Sequence, residues 1–194
     1  MNSFASALLL FGAGLALAQD TDPLSRLPQP WKEPVYRISF AEYEATLKYW
    51  AAKHPGVFHF EKRGESHDGQ PVYLVKITDT GVPDVDKQVA LVSALHGGPE
   101  RSGTTTILHL IERLLDDFEF SKETRRTQIV LIVPIANPYA FFTTDRFTNK
   151  EKIDLYDQQI SYWDLPKLKL AVPERTPELA AFLGIVDEYR PEVH

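Results

Sequence analysis

The fold is decided by residues 88–103, which have the sequence QVALVSALHGGPERSG. Residues 88–95 are almost continuously apolar, as expected of a strand that is covered on both faces of a sheet. A second run of this kind, TQIVLIVP, occupies residues 127–134. Apolar residues at helical spacing lie between the two runs: Ile107, Leu108, Leu110, Ile111, Leu114, Leu115 and Phe118. Because a crossover helix joins neighbouring parallel strands, this pattern predicts two parallel strands inside an α/β sheet.

A helix and a hairpin are predicted before these strands. Ser39 and Glu42 have the spacing of a helix capping box, and apolar residues follow at helical spacing. Residues 57–63 and 71–78 have the character of strands and are separated by Asp68-Gly69, which is a strong turn signal. The segment therefore predicts a capped helix followed by two antiparallel strands.

The last part of the chain continues the alternation of helix and strand. Thr176 has the position of an N-cap before a final helix, and residues 191–194 resemble the start of another strand. Residues 138–173 have no clear period, and so long an irregular segment in a compact domain is typical of a functional surface. We therefore expect an α/β fold with a mixed, mostly parallel central sheet, helices on both faces and truncation at the C-terminus.

The N-terminus has the features of an export signal. An apolar run from Leu8 to Ala18 ends in a small-x-small pattern, which predicts a signal peptide at residues 1–18 that is cleaved after Ala18. The run is too short to span a bilayer, which needs about 20 residues. Residues 19–36 contain several prolines and are predicted to be an extended lead-in, followed by the incomplete domain at 37–194. We expect a secreted or periplasmic protein without stable membrane insertion.

The composition excludes several classes of partner and of active site. Of the 194 residues, 43% are hydrophobic and 25% charged, which is typical of a globular domain. A formal net charge of −6 argues against nucleic acid as a partner. The absence of cysteine excludes disulfides, thiolate metal ligands and a cysteine nucleophile. An exported chain without disulfides suits a bacterial periplasm or cell surface.

The loop after the first buried strand carries the residues best suited to bind a metal. His96 and Glu100 follow the carboxyl end of that strand, which is where ligands bind in open α/β sheets. A neutral imidazole and a carboxylate suit Zn²⁺, and a catalytic zinc takes three protein ligands and a water. Gly97 and Gly98 allow the tight backbone path that would direct both side chains to one ion. The loop therefore predicts a zinc site.

Two other interpretations of this loop stay open. In the first, His96 and Glu100 only cap a tight turn at the start of a helix. In the second, the His-Gly-Gly-Pro sequence is similar to the oxyanion-hole loop of α/β-hydrolases, which also need a serine in a downstream Gly-x-Ser-x-Gly elbow. The chain has no such elbow, and its nearest approach, at residues 64–68, lies upstream in the predicted hairpin.

Five segments, in the same order, resemble the zinc carboxypeptidase family (carboxypeptidase A/B-like). They are the helix end at His54-Pro55, the hairpin at 63–72, the strand at 75–78, His96 with Glu100, and the segment at 134–138. The resemblance covers nearly all of the chain after the signal peptide. It implies the N-terminal part of a metallocarboxypeptidase catalytic domain, a Zn²⁺ cofactor and cleavage of peptide bonds.

The resemblance also implies individual roles. His96 and Glu100 match the first two zinc ligands of the family. Arg146 matches the position whose guanidinium polarises the scissile carbonyl and stabilises the oxyanion. The family's third ligand is a histidine near the far end of a strand, so either His194 or a residue beyond it takes that role. The family's general base, a glutamate much further along, is not in this chain.

Two departures from the family pattern affect these expectations. Three residues separate His96 from Glu100, whereas the family has two, so either the loop bulges or the site is damaged. Tyr156 and Asp157 stand where the family commonly has Asn-Arg, the pair that binds the terminal carboxylate of the substrate. Cleavage of ordinary C-terminal residues is therefore in doubt.

Three functions remain open from the sequence. The first is a secreted zinc-dependent metallocarboxypeptidase-like hydrolase that acts on a peptide or a peptidoglycan-like substrate, with this fragment alone inactive. The second is a non-catalytic relative that binds peptides or cell-wall fragments in the same cleft. The third is a deacylase that acts on small N-acyl amino acids, against which the peptidase-like hairpin argues.

Overall fold

The computed structural model describes residues 38–94, 99–143, 146–155 and 175–194. The predicted signal peptide and the lead-in lie outside these residues. In chain order the elements are α1 (Phe40–Lys53), β1 (Phe58–Glu65), β2 (Pro71–Ile77), β3 (Gln88–Ser93), α2 (Arg101–Leu115), α3 (Glu119–Thr127), β4 (Gln128–Val133), α4 (Pro138–Thr143) and α5 (Pro177–Tyr189). Among these described helices, none is long and apolar enough to cross a membrane.

The described strands form one mixed sheet in the order β1-β2-β4-β3. Strand β2 pairs antiparallel with both β1 and β4, whereas β3 and β4 are parallel. A short turn forces the first pair to be antiparallel, while α2 and α3 provide the crossover that parallel β3 and β4 require. Val193 forms a parallel bridge with Ala90 on the other side of β3, as expected for the start of a further strand. In the described residues, β3 pairs parallel with both of its neighbours, β4 and Val193, whereas β2 pairs antiparallel on both sides. The sheet is therefore mixed, and the expected parallel pairing is found around β3.

Helices cover both faces of the sheet, which confirms the predicted α/β architecture. Strand β4 shows this directly, because Val130 and Ile132 belong to one hydrophobic cluster and Ile129, Leu131 and Val133 to the other. The first cluster contains the apolar faces of α1 and α2, and the second contains that of α5. Burial on both sides explains why the β4 sequence is continuously apolar.

The predicted local signals at the first helix and the hairpin are confirmed. Ser39 is the N-cap of α1, and its side chain and that of Glu42 form a reciprocal capping box. Ser66 closes the hairpin turn through main-chain hydrogen bonds with Gln70 and Gly69. Gly69 has a φ of 82°, a left-handed conformation that glycine adopts without a steric cost.

Two helices were not apparent in the sequence. Helix α3 buries only Ser121 and Arg125, so it has no apolar periodicity to detect. Phe118, expected on the buried face of the crossover helix, lies beyond α2 and is 51% exposed. The guanidinium of Arg113 stacks over its ring at 3.7 Å. The short helix α4 falls in the segment that was predicted to be irregular.

Candidate metal centre

Glu100 lies at the carboxyl edge of the sheet, where the sequence places the metal site. Strand β3 ends at Ser93, and Glu100 is the N-cap of α2, with φ −85° and ψ 36°. Its side chain is half-buried. His96 is in the stretch 95–98, which lies outside the described residues, so its assignment as a ligand stays a prediction.

Both ends of the stretch 95–98 are attached to neighbouring backbone. The amide of Ala94 donates to the carbonyl of Val133 at 3.0 Å, and the amide of Ala136 donates to the carbonyl of Ala94 at 3.0 Å. On the helix side, Thr104 Oγ1 donates to the carbonyl of Pro134 at 3.0 Å. These bonds hold the end of β3 and the start of α2 against the end of β4, so the stretch between them connects two fixed points.

The helix also approaches the strand closely at Gly103. A Cβ on Gly103 would lie 3.3 Å from the Cβ of Ala94, which is tighter than an ordinary contact. A side chain at this position would require Ala94 or the helix to shift by a few tenths of an ångström. The glycine therefore allows the first turn of α2 to pack closely against the end of β3.

The donor chemistry at this edge is compatible with zinc. Carboxylate and imidazole groups are of the types that bind zinc, and a catalytic zinc takes three protein ligands. Within the described residues, no group of three histidine, cysteine, aspartate or glutamate side chains could hold a metal ion. Because His96 lies outside the described residues, the prediction of a zinc site rests on Glu100 and on the family pattern.

The backbone next to His194 pairs near the beginning of β3, whereas the His194 side chain extends to Ser93, the last residue of that strand. Val193, the chain neighbour of His194, is level with Ala90, near the beginning of the strand. The His194 ring contacts Phe182, with centroids 5.7 Å apart, and its Nε2 is 3.4 Å from Ser93 Oγ. Burial lowers the pKa of this imidazole. The assignment of the third ligand, to His194 or to a residue beyond it, stays a prediction.

Arg146 is exposed at the start of the segment 146–155. Thr148 and Asp154 form an antiparallel bridge that folds the segment into a small hairpin. At its centre Asn149 is 1% exposed, and its Oδ1 accepts a hydrogen bond from the amide of Ile153. The Asn149 amide nitrogen donates to the carbonyl of Arg175 at 2.8 Å. Asn149 therefore attaches the segment that carries Arg146 to the start of α5.

Glu178 is a buried acid next to Asn149, and sequence reasoning missed it. It is 0% exposed, its Oε2 is 3.5 Å from the Asn149 amide nitrogen, and no described group donates to its Oε1. Burial raises the pKa of this carboxyl above its ordinary value of 4.5. Glutamate in the first turn of a helix is common at the surface, so the sequence held no signal that this one is enclosed.

The family is established by a match over the region that contains these features. The model of the zinc carboxypeptidase family matches residues 43–155, which is more than half of the chain. This chain belongs to the zinc carboxypeptidase family. The zinc carboxypeptidase match includes Glu100 and Arg146 and extends to the end of the small hairpin. Tyr156 and Asp157 follow immediately and lie outside the described residues.

Solved zinc carboxypeptidases have the same fold as the described residues. The metallo-carboxypeptidase from Burkholderia cenocepacia matches with a TM-score of 0.63 at 18% identity, over 76% of this chain and 38% of that chain. Carboxypeptidase A from Helicoverpa armigera matches with a TM-score of 0.52 at 26% identity, over 58% of this chain and 28% of that chain.

The metallo-carboxypeptidase from Pseudomonas aeruginosa, solved with (2-guanidinoethylmercapto)succinic acid, has a TM-score of 0.58 at 19% identity. That match covers 77% of this chain and 37% of that one. The chain therefore spans less than half the length of each of these structures. No curated protein sequence matches it.

Proposed function

We propose that this protein is a secreted or periplasmic, zinc-dependent metallocarboxypeptidase-like hydrolase that cleaves amide bonds in peptides. The observation that carries the proposal is the position of Glu100. It begins α2 at the carboxyl edge of β3, within a region that matches the zinc carboxypeptidase family. A carboxylate at that edge is placed to share an ion with a residue of the preceding loop.

His96 and Glu100 would hold the metal, together with His194 or a residue beyond it as the third ligand. Bound zinc supplies Lewis-acid chemistry and lowers the pKa of water. Arg146 would supply a fixed positive charge beside the developing oxyanion. The Arg146 side chain is exposed, as suits a residue that contacts substrate, and Asn149 attaches its segment to the start of α5.

The substrate class proposed is a peptide or a peptidoglycan-like molecule. Tyr156 and Asp157 replace the Asn-Arg pair that binds a terminal carboxylate in the family. An aspartate at that position would repel such a group. Substrates with a blocked or amidated end therefore belong in the test, beside ordinary peptides.

The test measures zinc after exhaustive dialysis in a protein that continues beyond His194 through the full length of the relatives. We expect about one zinc per molecule. His96→Ala should lose the metal, and Glu100→Gln should weaken its binding. The matched control His59→Ala, at an exposed histidine of β1, should keep it. Equal zinc in His96→Ala and the unaltered protein would refute the site.

Activity on N-acylated dipeptides and on muropeptides distinguishes a hydrolase from a protein that only binds peptides. Zinc that is retained with release of an amino acid or amine supports a hydrolase. Zinc that is retained with saturable peptide binding and no hydrolysis would support the non-catalytic relative instead. Hydrolysis confined to small N-acyl amino acids would support the deacylase.

A further inference from the structure

A pocket of about 380 Å³ opens at the edge of the sheet opposite the candidate metal centre. It is lined by Gly56, Val57, Asp79, Thr80, Gly81, Lys122, Arg125 and Arg126. These residues lie where β1 begins, where β2 ends and on α3 just before β4. Because β3 and β4 are parallel and end at the other edge, the pocket belongs to a different part of the molecule from Glu100. Its volume is in the range of small-ligand pockets.

The lining is positively charged in a chain whose net charge is negative. Lys122, Arg125 and Arg126 face one acidic side chain, Asp79. One oxygen of Asp79 is already used, since Oδ1 accepts the amide hydrogen of Gly81 at 2.9 Å. Burial and then the charges of Lys53 and Arg125 lower the pKa of His54, on the turn just before the pocket, against the opposing charges of Asp117 and Asp116. The lining itself carries three cations and one carboxylate.

Arg125 is fixed in place by the fold. It is 8% exposed, its Nη1 donates to the carbonyls of Leu114 and Asp116, and its own carbonyl accepts the amide hydrogen of Asp79 at 2.8 Å. In the part of the chain that the structure describes, no group accepts a hydrogen bond from Nε or Nη2, and neither atom is enclosed. The buried guanidinium thus keeps donors available at a pocket that it lines.

The two other cations are free to turn towards a ligand. Lys122 pairs with Glu119 at 3.4 Å and Arg126 pairs with Glu123 at 3.3 Å, both between exposed side chains one turn apart. Exposed pairs of this kind contribute little to stability. An anion that binds in the pocket can therefore recruit both side chains at small cost.

We propose that this pocket binds a phosphate or sulfate group. Arg125 supplies a preorganised guanidinium, which matches the geometry of a tetrahedral oxyanion. Lys122 and Arg126 add positive charge, whereas the Thr80 hydroxyl is already used, since it donates to the carbonyl of Gly56 at 2.9 Å. The volume leaves room for the organic part of a phosphorylated or sulfated molecule beside the anion.

The test titrates the metal-free protein with sodium phosphate, sodium sulfate and glucose 6-phosphate at constant ionic strength, and measures binding by calorimetry. Metal-free protein is needed so that the anion cannot bind to zinc. The variant Lys122→Gln/Arg126→Gln changes two exposed residues and should keep the fold, which circular dichroism checks. The matched control is Lys48→Gln, an exposed lysine of α1 that pairs with Glu44 in the same manner.

We expect saturable binding of at least one of the three anions, weakened on the order of tenfold by the double variant and unchanged by Lys48→Gln. Preference for glucose 6-phosphate would assign an organic phosphate, and equal binding of inorganic phosphate would assign the free ion. Absence of saturable binding by all three anions would overturn the proposal. Equal binding by the unaltered protein and the double variant would do the same.

Discussion

Thr104 Oγ1 donates a 3.0 Å hydrogen bond to the main-chain carbonyl of Pro134, and both residues are buried. Thr104 is in the first turn of α2, and Pro134 directly follows β4. The bond therefore fixes the beginning of the helix that carries Glu100 to the strand next to β3. It is a side-chain contact that helps to set the carboxyl edge of the sheet.

Thr104→Val should destabilise the fold by about 1–2 kcal/mol, because it leaves a buried carbonyl without its donor at nearly unchanged volume. Urea denaturation measures the effect. The matched control is Thr106→Val, since Thr106 is exposed and its hydroxyl donates to the carbonyl of Ser102 within the helix. That variant should change the free energy of unfolding by less than about 0.5 kcal/mol. Equal effects of the two would show that the Pro134 contact has no special role.

Gly64 lies directly under α5, where a side chain has no room. A Cβ at this position would be 2.6 Å from the Cβ of Ala181. Gly64→Ala should therefore destabilise the fold by about 1–3 kcal/mol. Combined with Ala181→Gly, it should cost less than the sum of the two single changes, as measured in a double-mutant cycle.

Gly184 provides the control for Gly64 on the same helix. A Cβ there meets nothing within 4 Å, and the residue is exposed. Gly184→Ala should stabilise the fold by about 0.5–1 kcal/mol, because alanine restricts the unfolded chain. If Gly64→Ala is also neutral or stabilising, the close packing of β1 on α5 is wrong.

Glu178→Gln should change how stability depends on pH. Burial raises the pKa of Glu178 above 4.5, so the folded protein retains a proton that the unfolded chain releases. The stabilisation from this proton is complete below pH 4.5 and is lost as the pH rises through the folded-state pKa. The free energy of unfolding of Glu178→Gln relative to the unaltered protein should therefore increase over that window, in urea melts at successive pH values.

For Glu44→Gln, the free energy of unfolding relative to the unaltered protein should change with pH in the opposite direction, that is, decrease as the pH rises. Hydrogen bonds from Lys48 and from Tyr73 lower the pKa of the Glu44 carboxyl. Its contribution to stability is present above the ordinary value of 4.5 and is lost as the pH falls through the folded-state pKa. A flat pH dependence for Glu178→Gln relative to the unaltered protein would mean that this carboxyl is not enclosed.

Arg146→Ala should lower kcat by roughly 100-fold or more in the protein of full family length, while zinc content stays unchanged, if the guanidinium stabilises the oxyanion. Lys150→Ala is the matched control, because Lys150 is an exposed cation of the same segment. It should leave kcat within about twofold, as expected of a surface substitution. A similar kcat for Arg146→Ala and the unaltered protein would remove Arg146 from the catalytic group.

Much of the fold could be predicted because its signals are local. The capping box at Ser39 and the Asp68-Gly69 turn depend on residues that are close in sequence. The two buried strands were predicted from continuous apolarity, and the structure places them within two residues of the expected ends. Helix α3 was not found, because its buried residues are a serine and an arginine whose partners lie elsewhere in the chain.

In the candidate site, too, some features could be predicted from the sequence and others could not. Glu100 and Arg146 could be selected by motif, since the family pattern is continuous in sequence. The order of strands in the sheet could not, because it depends on pairing between β2 and β4, which are far apart in the chain. The enclosure of Glu178 by Asn149 is likewise a contact between distant segments.

The sequence by itself determined the class of fold, the family and the loop in which a metal is expected, because hydrophobic periodicity and short motifs are encoded residue by residue. Only the tertiary structure decided that the His194 side chain reaches Ser93 at the end of β3, and that Lys122 and Arg125 meet Asp79 in one pocket. Such placements follow from packing between segments distant in sequence, whose free energy no local pattern records.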